Sequence, residues 1–158
     1  MRVFIGTGRT PLPLLLTTHL FYERTVENLE KINIAIDGPV ASGKTSVARL
    51  LAKKMKYAYI DTGAMYRAIT WKALIYGIDP LDEEKISDMA KNTKIEIFPH
   101  ENNPSGYAVF LDDTDVTGHL TEPLVRQNVS LVSSISSLRK VLVELQQNMA
   151  KNKGIIMA

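Results

Sequence analysis

The chain of 158 residues contains no cysteine. That absence excludes a disulfide framework, a thiolate metal site and a thiol nucleophile. It also fits a reducing compartment and a cytoplasmic location. No apolar run reaches the roughly 18 residues that a membrane-spanning helix needs. Charge of one sign is scarce as well. The 19 Lys and Arg stand against 17 Asp and Glu, and the net charge of +2 is too small to favour a nucleic acid polymer as partner. The three histidines, His19, His100 and His119, are scattered and suggest no metal site. What remains is ordinary for a globular domain: 45% hydrophobic and 23% charged residues, in a length that suits one compact domain, expected as a monomer.

The first residues do not read as a secretory signal. Arg2 and Arg9 precede an apolar run, but Pro11 and Pro13 break it and no Ala-x-Ala follows before His19. Residues 1–31 have no clear period, and Gly6, Gly8, Pro11 and Pro13 argue against one regular element. Thr25 to Lys31 has the composition of a short polar helix. The stretch is read as an extension outside a main domain that covers residues 32–158.

That domain alternates strands with helices. Ile32 to Ile36 is β-branched and predicts a strand. Val47, Leu50, Leu51 and Met55 then recur at helical spacing, with Arg49, Lys53, Lys54 and Lys56 on a solvated face. Tyr57 to Ile60 is a second strand. A helix from Ala64 to Tyr76 carries Trp71 as a packing residue and closes at Gly77. Asp82 caps a third helix that ends near Asn92. Lys94 to Phe98 and Tyr107 to Leu111 alternate like a hairpin, with a polar turn at Asp112 to Asp115. A helix starts at Glu122 or Pro123. A longer one follows, marked by Leu138, Val141, Leu142, Leu145 and Met149 and stopped by Gly154. Ile155 to Ala158 is a last apolar strand. The pattern predicts an α/β fold: a parallel sheet with helices on both faces, and residues 94–120 as a small antiparallel insert.

Gly38-Pro39-Val40-Ala41-Ser42-Gly43-Lys44-Thr45 fits the pattern G-x-x-x-x-G-K-[ST], with Ser46 next in line. Glycines let such a loop curl so that its N–H groups point at phosphate oxygens. The helix opening near Lys44 adds its positive end. Lys44 can bridge the β- and γ-phosphates of ATP, and Thr45 offers a hydroxyl to Mg²⁺. A chance pattern in a structural turn is the competing reading. The preceding strand and the following amphipathic helix count against it.

Asp61-Thr62-Gly63-Ala64-Met65-Tyr66-Arg67 lies just past the second strand. Ligands of open parallel sheets gather beyond the carboxyl ends of strands, so Asp61, Thr62 and Arg67 stand where a second substrate would bind. Arg67 can fork onto a phosphate. On spacing alone, the alternative is equally open: Asp61 and Thr62 merely cap the next helix, and Arg67 is a solvated side chain.

Here the sequence resembles the bacterial cytidylate kinases. The shared features are the Ile36-Asp37-Gly38-Pro39 loop start, the Asp61 to Arg67 segment and the Asp115-Val116-Thr117 turn. Val129-Ser130, followed nine residues later by Arg139, and the closing Gly154-Ile155-Ile156-Met157 also match. The resemblance runs over about residues 32–158. It implies a P-loop nucleoside monophosphate kinase in which ATP passes its γ-phosphoryl group to CMP or dCMP. Gly38 to Ser46 would hold ATP. Thr62 and Arg67 would contact the acceptor, with Asp61 assisting and Ser130 and Arg139 reading cytosine and holding its site. Lys44 and Arg67 would act in the transfer. By themselves, Ser130 reads as a helix-surface serine and Arg139 as a solvated charge.

The chain departs from the family twice. Leu120-Thr121-Glu122-Pro123 stands where the family has Ile-Arg-Thr-Pro, so Thr121 replaces an arginine. The Gly-Arg-Asp that follows the last strand in the family, and the segments after it, have no counterpart. Loss of a transition-state arginine costs on the order of 10³ to 10⁵ in rate. The expectation is a truncated enzyme, weak or inactive alone. A P-loop kinase for another acceptor (AMP, shikimate or pantothenate) and a non-catalytic nucleotide-binding fragment are the other readings.

Overall fold

A computed structural model describes residues 2–5, 31–39, 41–100, 102–103, 105–151 and 153–158. Val40 of the phosphate loop, and most of the N-terminal extension, including the stretch from Thr25 where the sequence suggests a polar helix, lie outside the described residues. In chain order the elements are β1 (Arg2–Ile5), β2 (Ile34–Asp37), α1 (Lys44–Met55), β3 (Ala58–Ile60), α2 (Thr62–Ile75), α3 (Glu83–Lys91), β4 (Ile95–Pro99), β5 (Tyr107–Leu111) and β6 (Thr114–Asp115). A 3₁₀ turn (Thr117–Thr121), α4 (Pro123–Ser134), α5 (Ser136–Ala150) and β7 (Ile155–Met157) follow.

The main sheet has the order β1-β2-β7-β3. β7 lies between β2 and β3 and runs parallel to both, with Ile156 opposite Ile34 on one side and Tyr59 on the other. One edge is antiparallel: Arg2–Ile5 of the N-terminal extension pairs with β2, Arg2 opposite Asp37. The crossover from β2 to β3 and the return from β3 to β7 run in opposite directions along the sheet. Right-handed crossovers then put α1 on one face and the later helices on the other.

Each helix forms where its sequence carries the signals. Asp61 and Asp82 accept hydrogen bonds from the N–H groups of Ala64 and Lys85, which caps α2 and α3. Pro123 occupies the first turn of α4, where a missing N–H costs nothing. α5 ends at Ala150, ahead of the Gly154 stop expected from sequence. Ile135 separates α4 from α5 by taking an extended conformation (φ −66°, ψ 113°), and its side chain is buried. Met65, Ile69, Ile86, Leu138, Leu142 and Ile156 are fully buried in one continuous core. Each such side chain contributes about 1.5–3 kcal/mol relative to exposure.

The insert is a separate three-stranded sheet of order β4-β5-β6, in which the polar turn expected at Asp112 to Asp115 closes through a short third strand. A buried lysine anchors it. Lys72 Nζ on α2 donates to Thr93 Oγ1 at 2.7 Å and to Asp112 Oδ2 at 2.5 Å. Asp112 Oδ1 in turn accepts from the Lys94 N–H. The Lys72 hydrogen bond, opposed by slight burial, holds the Asp112 carboxyl below its ordinary range. At the far end of the insert, the Trp71 ring of α2 stacks on His119 with centroids 4.9 Å apart.

Candidate nucleotide site

Beyond β2 the backbone forms the phosphate loop and passes directly into α1. Gly43 takes φ +82° and the N-cap position of α1, a conformation that L side chains resist. Ala41 is also left-handed, at φ +62°. The loop is braced by Asp37 Oδ1, which accepts from the Gly38 N–H at 2.8 Å, and by the Ser42 N–H donating to Pro39 O at 3.3 Å. Ala41, Ser42, Gly43, Thr45 and Ser46 are exposed, so the first turn of α1 faces open space. Lys44 is folded back. Its Nζ donates to Gly38 O at 2.5 Å and to Pro39 O at 2.6 Å. The ammonium therefore rests on the carbonyls of its own loop, in reach of whatever enters it.

The Asp61 to Arg67 segment starts two strands away, beyond β3. Asp61 does three things at once. Oδ1 caps α2 through the Ala64 N–H at 3.0 Å. Oδ2 accepts from Arg67 Nη2 at 3.0 Å and from the Tyr107 hydroxyl at 2.7 Å. Sequence alone leaves open whether Asp61 caps the next helix or serves a second substrate; the carboxylate does cap α2, and it also pairs with Arg67, which is therefore not a solvated charge. Gly63 leaves room for the pair: a Cβ there would stand 3.1 Å from Arg67 Nη1 and 3.2 Å from Asp61 Oδ1. Thr62 points away from this cluster, with Oγ1 donating to Ala158 O at 3.0 Å.

The two segments converge. Lys44 and Thr62 line one cavity of about 270 Å³ with Asp37, Ala35, Met157 and Gln146. On the other side Thr45 adjoins Tyr59, which shares the charge environment of Asp61 and Arg67. The Tyr59 hydroxyl is buried beside Thr45 but has no partner with hydrogen-bond geometry among the described residues. Burial, reinforced by the nearby Asp61 carboxylate, raises its ionisation above that of free tyrosine.

Ser130 and Arg139 are not part of this cluster. Both are exposed, on α4 and α5, and neither side chain bonds to the Asp61–Arg67 group among the described residues. Three residues of the site escape motif reading: Tyr59, Tyr107 and Gln146. Tyr107 lies 40 positions from Arg67 and 46 from Asp61. Gln146 donates to Met65 Sδ at 3.7 Å across 81 positions. Tyr59 alone carried a local signal, as a polar ring two residues before Asp61 in a strand otherwise made of apolar residues.

Among the described residues no helix is long and apolar enough to cross a membrane. The family model for cytidylate kinase matches residues 34–158. Curated relatives are proteins named cytidylate kinase. One from Limosilactobacillus reuteri (strain DSM 20016) is 44% identical over 126 residues, 80% of this chain and 54% of its own length. One from Bacillus subtilis (strain 168) is 42% identical over 128 residues, 81% of this chain and 56% of its own. One from Caldicellulosiruptor saccharolyticus is 46% identical over 129 residues, 82% and 56% of the two chains. The chain thus spans about half the length of the curated relatives it matches. A phosphate loop set on a parallel sheet, the Asp61–Arg67 segment at the end of β3 and this run of similarity make the chain a member of the cytidylate kinase family.

Proposed function

We propose that the chain carries the nucleotide sites of a phosphotransferase that moves the γ-phosphoryl group of ATP to CMP or dCMP. The observation that carries this reading is the convergence of Lys44 and Thr62 on one cavity, with the Asp61–Arg67 pair beside Thr45 and Tyr59. A loop for a triphosphate and an arginine for a monophosphate stand at the ends of β2 and β3, on either side of β7, an arrangement that suits in-line transfer between two nucleotides.

In this reading the loop from Gly38 to Ser46 cradles the donor phosphates, with the backbone N–H groups at the exposed start of α1 as donors. Lys44 leaves Gly38 O and Pro39 O to neutralise the β- and γ-oxygens. Arg67 holds the acceptor phosphate. An acceptor phosphate oxygen attacks the γ-phosphorus as the bond to the β–γ bridging oxygen breaks, and ADP and CDP or dCDP result. The chain's residues position and neutralise charge; little covalent chemistry is asked of them. Thr45 is the candidate Mg²⁺ ligand. Among the described residues no three acidic or histidine side chains group into a cation site. A single hydroxyl fits an ion held chiefly by phosphate oxygens and water. When bound, Mg²⁺ supplies charge stabilisation to the transferring group. Ser130 and Arg139 would read cytosine from α4 and α5. The reading includes a monomeric, cytoplasmic protein.

Isothermal titration with ATP, CMP, dCMP, UMP and AMP, followed by single-turnover transfer from labelled ATP, tests it. Lys44→Met is expected to weaken ATP binding at least tenfold while leaving CMP binding within twofold. Tighter binding of UMP or AMP than of CMP and dCMP would overturn the acceptor assignment. Binding of both nucleotides with no transfer would reduce the chain to a nucleotide-binding unit.

A further inference from the structure

The Arg67 guanidinium does not stand alone, and its second partner comes from the insert. Tyr107, the first residue of β5, is buried. Its hydroxyl donates to Asp61 Oδ2 at 2.7 Å and accepts from Arg67 Nη2 at 3.3 Å. The same Nη2 donates to Asp61 Oδ2 at 3.0 Å. Three groups close a ring of hydrogen bonds. Nη2 thereby has two acceptors within the ring, and the hydrogens on Nη1 and Nε, which lie on different edges of the guanidinium, remain as separate donors for phosphate oxygens. The Tyr107 ring is held from the sheet side by Tyr59, at 5.9 Å between centroids. Burial, then the bond to Asp61, push the Tyr107 ionisation well above that of free tyrosine, so the hydroxyl keeps its donor proton.

We propose that Tyr107 is a positioning residue for the acceptor phosphate: it fixes Asp61, and through Asp61 it fixes which edge of Arg67 faces the incoming monophosphate. The device also makes the arginine's orientation depend on the insert being docked, because Tyr107 belongs to the insert sheet and Asp61 and Arg67 belong to the main domain. An arginine held in one orientation loses less freedom on binding, and that saving appears as affinity for phosphate. The inference rests on the assignment of the Asp61–Arg67 pocket to an acceptor monophosphate.

The test compares a nucleotide with its own nucleoside. Affinities of the full chain for CMP and cytidine are measured by titration calorimetry for the wild type and Tyr107→Phe. The ring stays and only the hydroxyl goes. CMP binding is expected to weaken about 5- to 20-fold, with cytidine unchanged within twofold. In an Arg67→Gln background the same Tyr107→Phe change should shift CMP affinity less than twofold, because the group it positions is gone. Asp61→Asn keeps the helix cap and breaks the same ring, so it should reproduce the phosphate-specific loss and covers a Tyr107→Phe variant that fails to fold. Equal weakening of CMP and cytidine, an unchanged CMP affinity, or full additivity with Arg67→Gln overturns the proposal. If the wild type binds UMP or AMP but neither CMP nor dCMP, the cytidine assignment fails by itself, and Tyr107 is judged on that nucleotide against its nucleoside. Failure to bind any nucleoside monophosphate overturns both.

Discussion

The Lys72–Asp112 pair should respond asymmetrically to removal of its two members. The Lys72 side chain is 10% exposed and the Asp112 side chain 47%. Removing Asp112's charge strands an ammonium in the interior, with Thr93 Oγ1 and the face of the Tyr76 ring as its remaining partners. Asp112→Asn isolates that loss. Asn tolerates the positive φ of 45° at this position, and its carbonyl still accepts from the Lys94 N–H. The cost is that of a charge-assisted bond to a buried cation, about 2–3 kcal/mol. Lys72→Met keeps the aliphatic stem and deletes the buried charge, while the half-exposed carboxylate left behind is rehydrated. Its cost is about 0–1 kcal/mol. The difference also depends on pH. Because the folded-state pKa of Asp112 is depressed, its stabilisation is present above the unfolded value of about 3.9 and is lost as pH falls through the lower folded value. Urea unfolding of both variants, followed by fluorescence of the single tryptophan, Trp71, from pH 7 to about pH 3.5 tests both statements. The Asp112→Asn penalty should exceed that of Lys72→Met at pH 7 and shrink in acid. Equal penalties, or an Asp112→Asn penalty that stays constant with pH, would refute the reasoning.

Two further outcomes follow from the phosphate site. Tyr59→Phe deletes a buried hydroxyl that has no hydrogen-bonded partner among the described residues, and the ligand-free chain should gain about 1 kcal/mol, read as a rise of roughly 2–4 °C in Tm; a lower Tm would mean that the hydroxyl is satisfied in solution. Gly43→Ala places a side chain at φ +82° where a Cβ meets nothing within 4 Å, so its stability cost is the backbone term alone, about 1–2 kcal/mol. Its ATP affinity should fall as the loop opens, and a variant with wild-type Tm and wild-type ATP affinity would contradict the left-handed cap.

The segments legible from sequence were those whose determinants lie within one or two turns of chain. The strand–loop–helix of β2 and α1 follows from β-branched residues, a glycine at a left-handed cap and a 3.6-residue stripe. The hairpin of β4 and β5 follows from alternation around a polar loop. Asp61 and Asp82 announce helix starts because a cap bonds only three residues ahead. The 3₁₀ turn before α4 was less visible, since its bonds reach only from one residue to the third and its sequence, Thr117 to Thr121, lacks a strong period.

Local sequence thus determined that a glycine-rich loop with the G-x-x-x-x-G-K-[ST] pattern follows the first strand of the main domain and that an aspartate and an arginine follow the next strand. Tertiary structure decided what those residues meet. Arg2–Ile5 became a sheet edge only because β2 offers it a free ladder. The two strand ends open on one side of the sheet because β7, arriving last, pairs with both β2 and β3 and lies between them. Arg67 could be read as a solvated charge until the fold brought Tyr107 and Asp61 to the same guanidinium nitrogen. Hydrogen bonds of that kind depend on angstrom-scale approach between elements some 40 residues apart, and no periodicity in the chain encodes that distance.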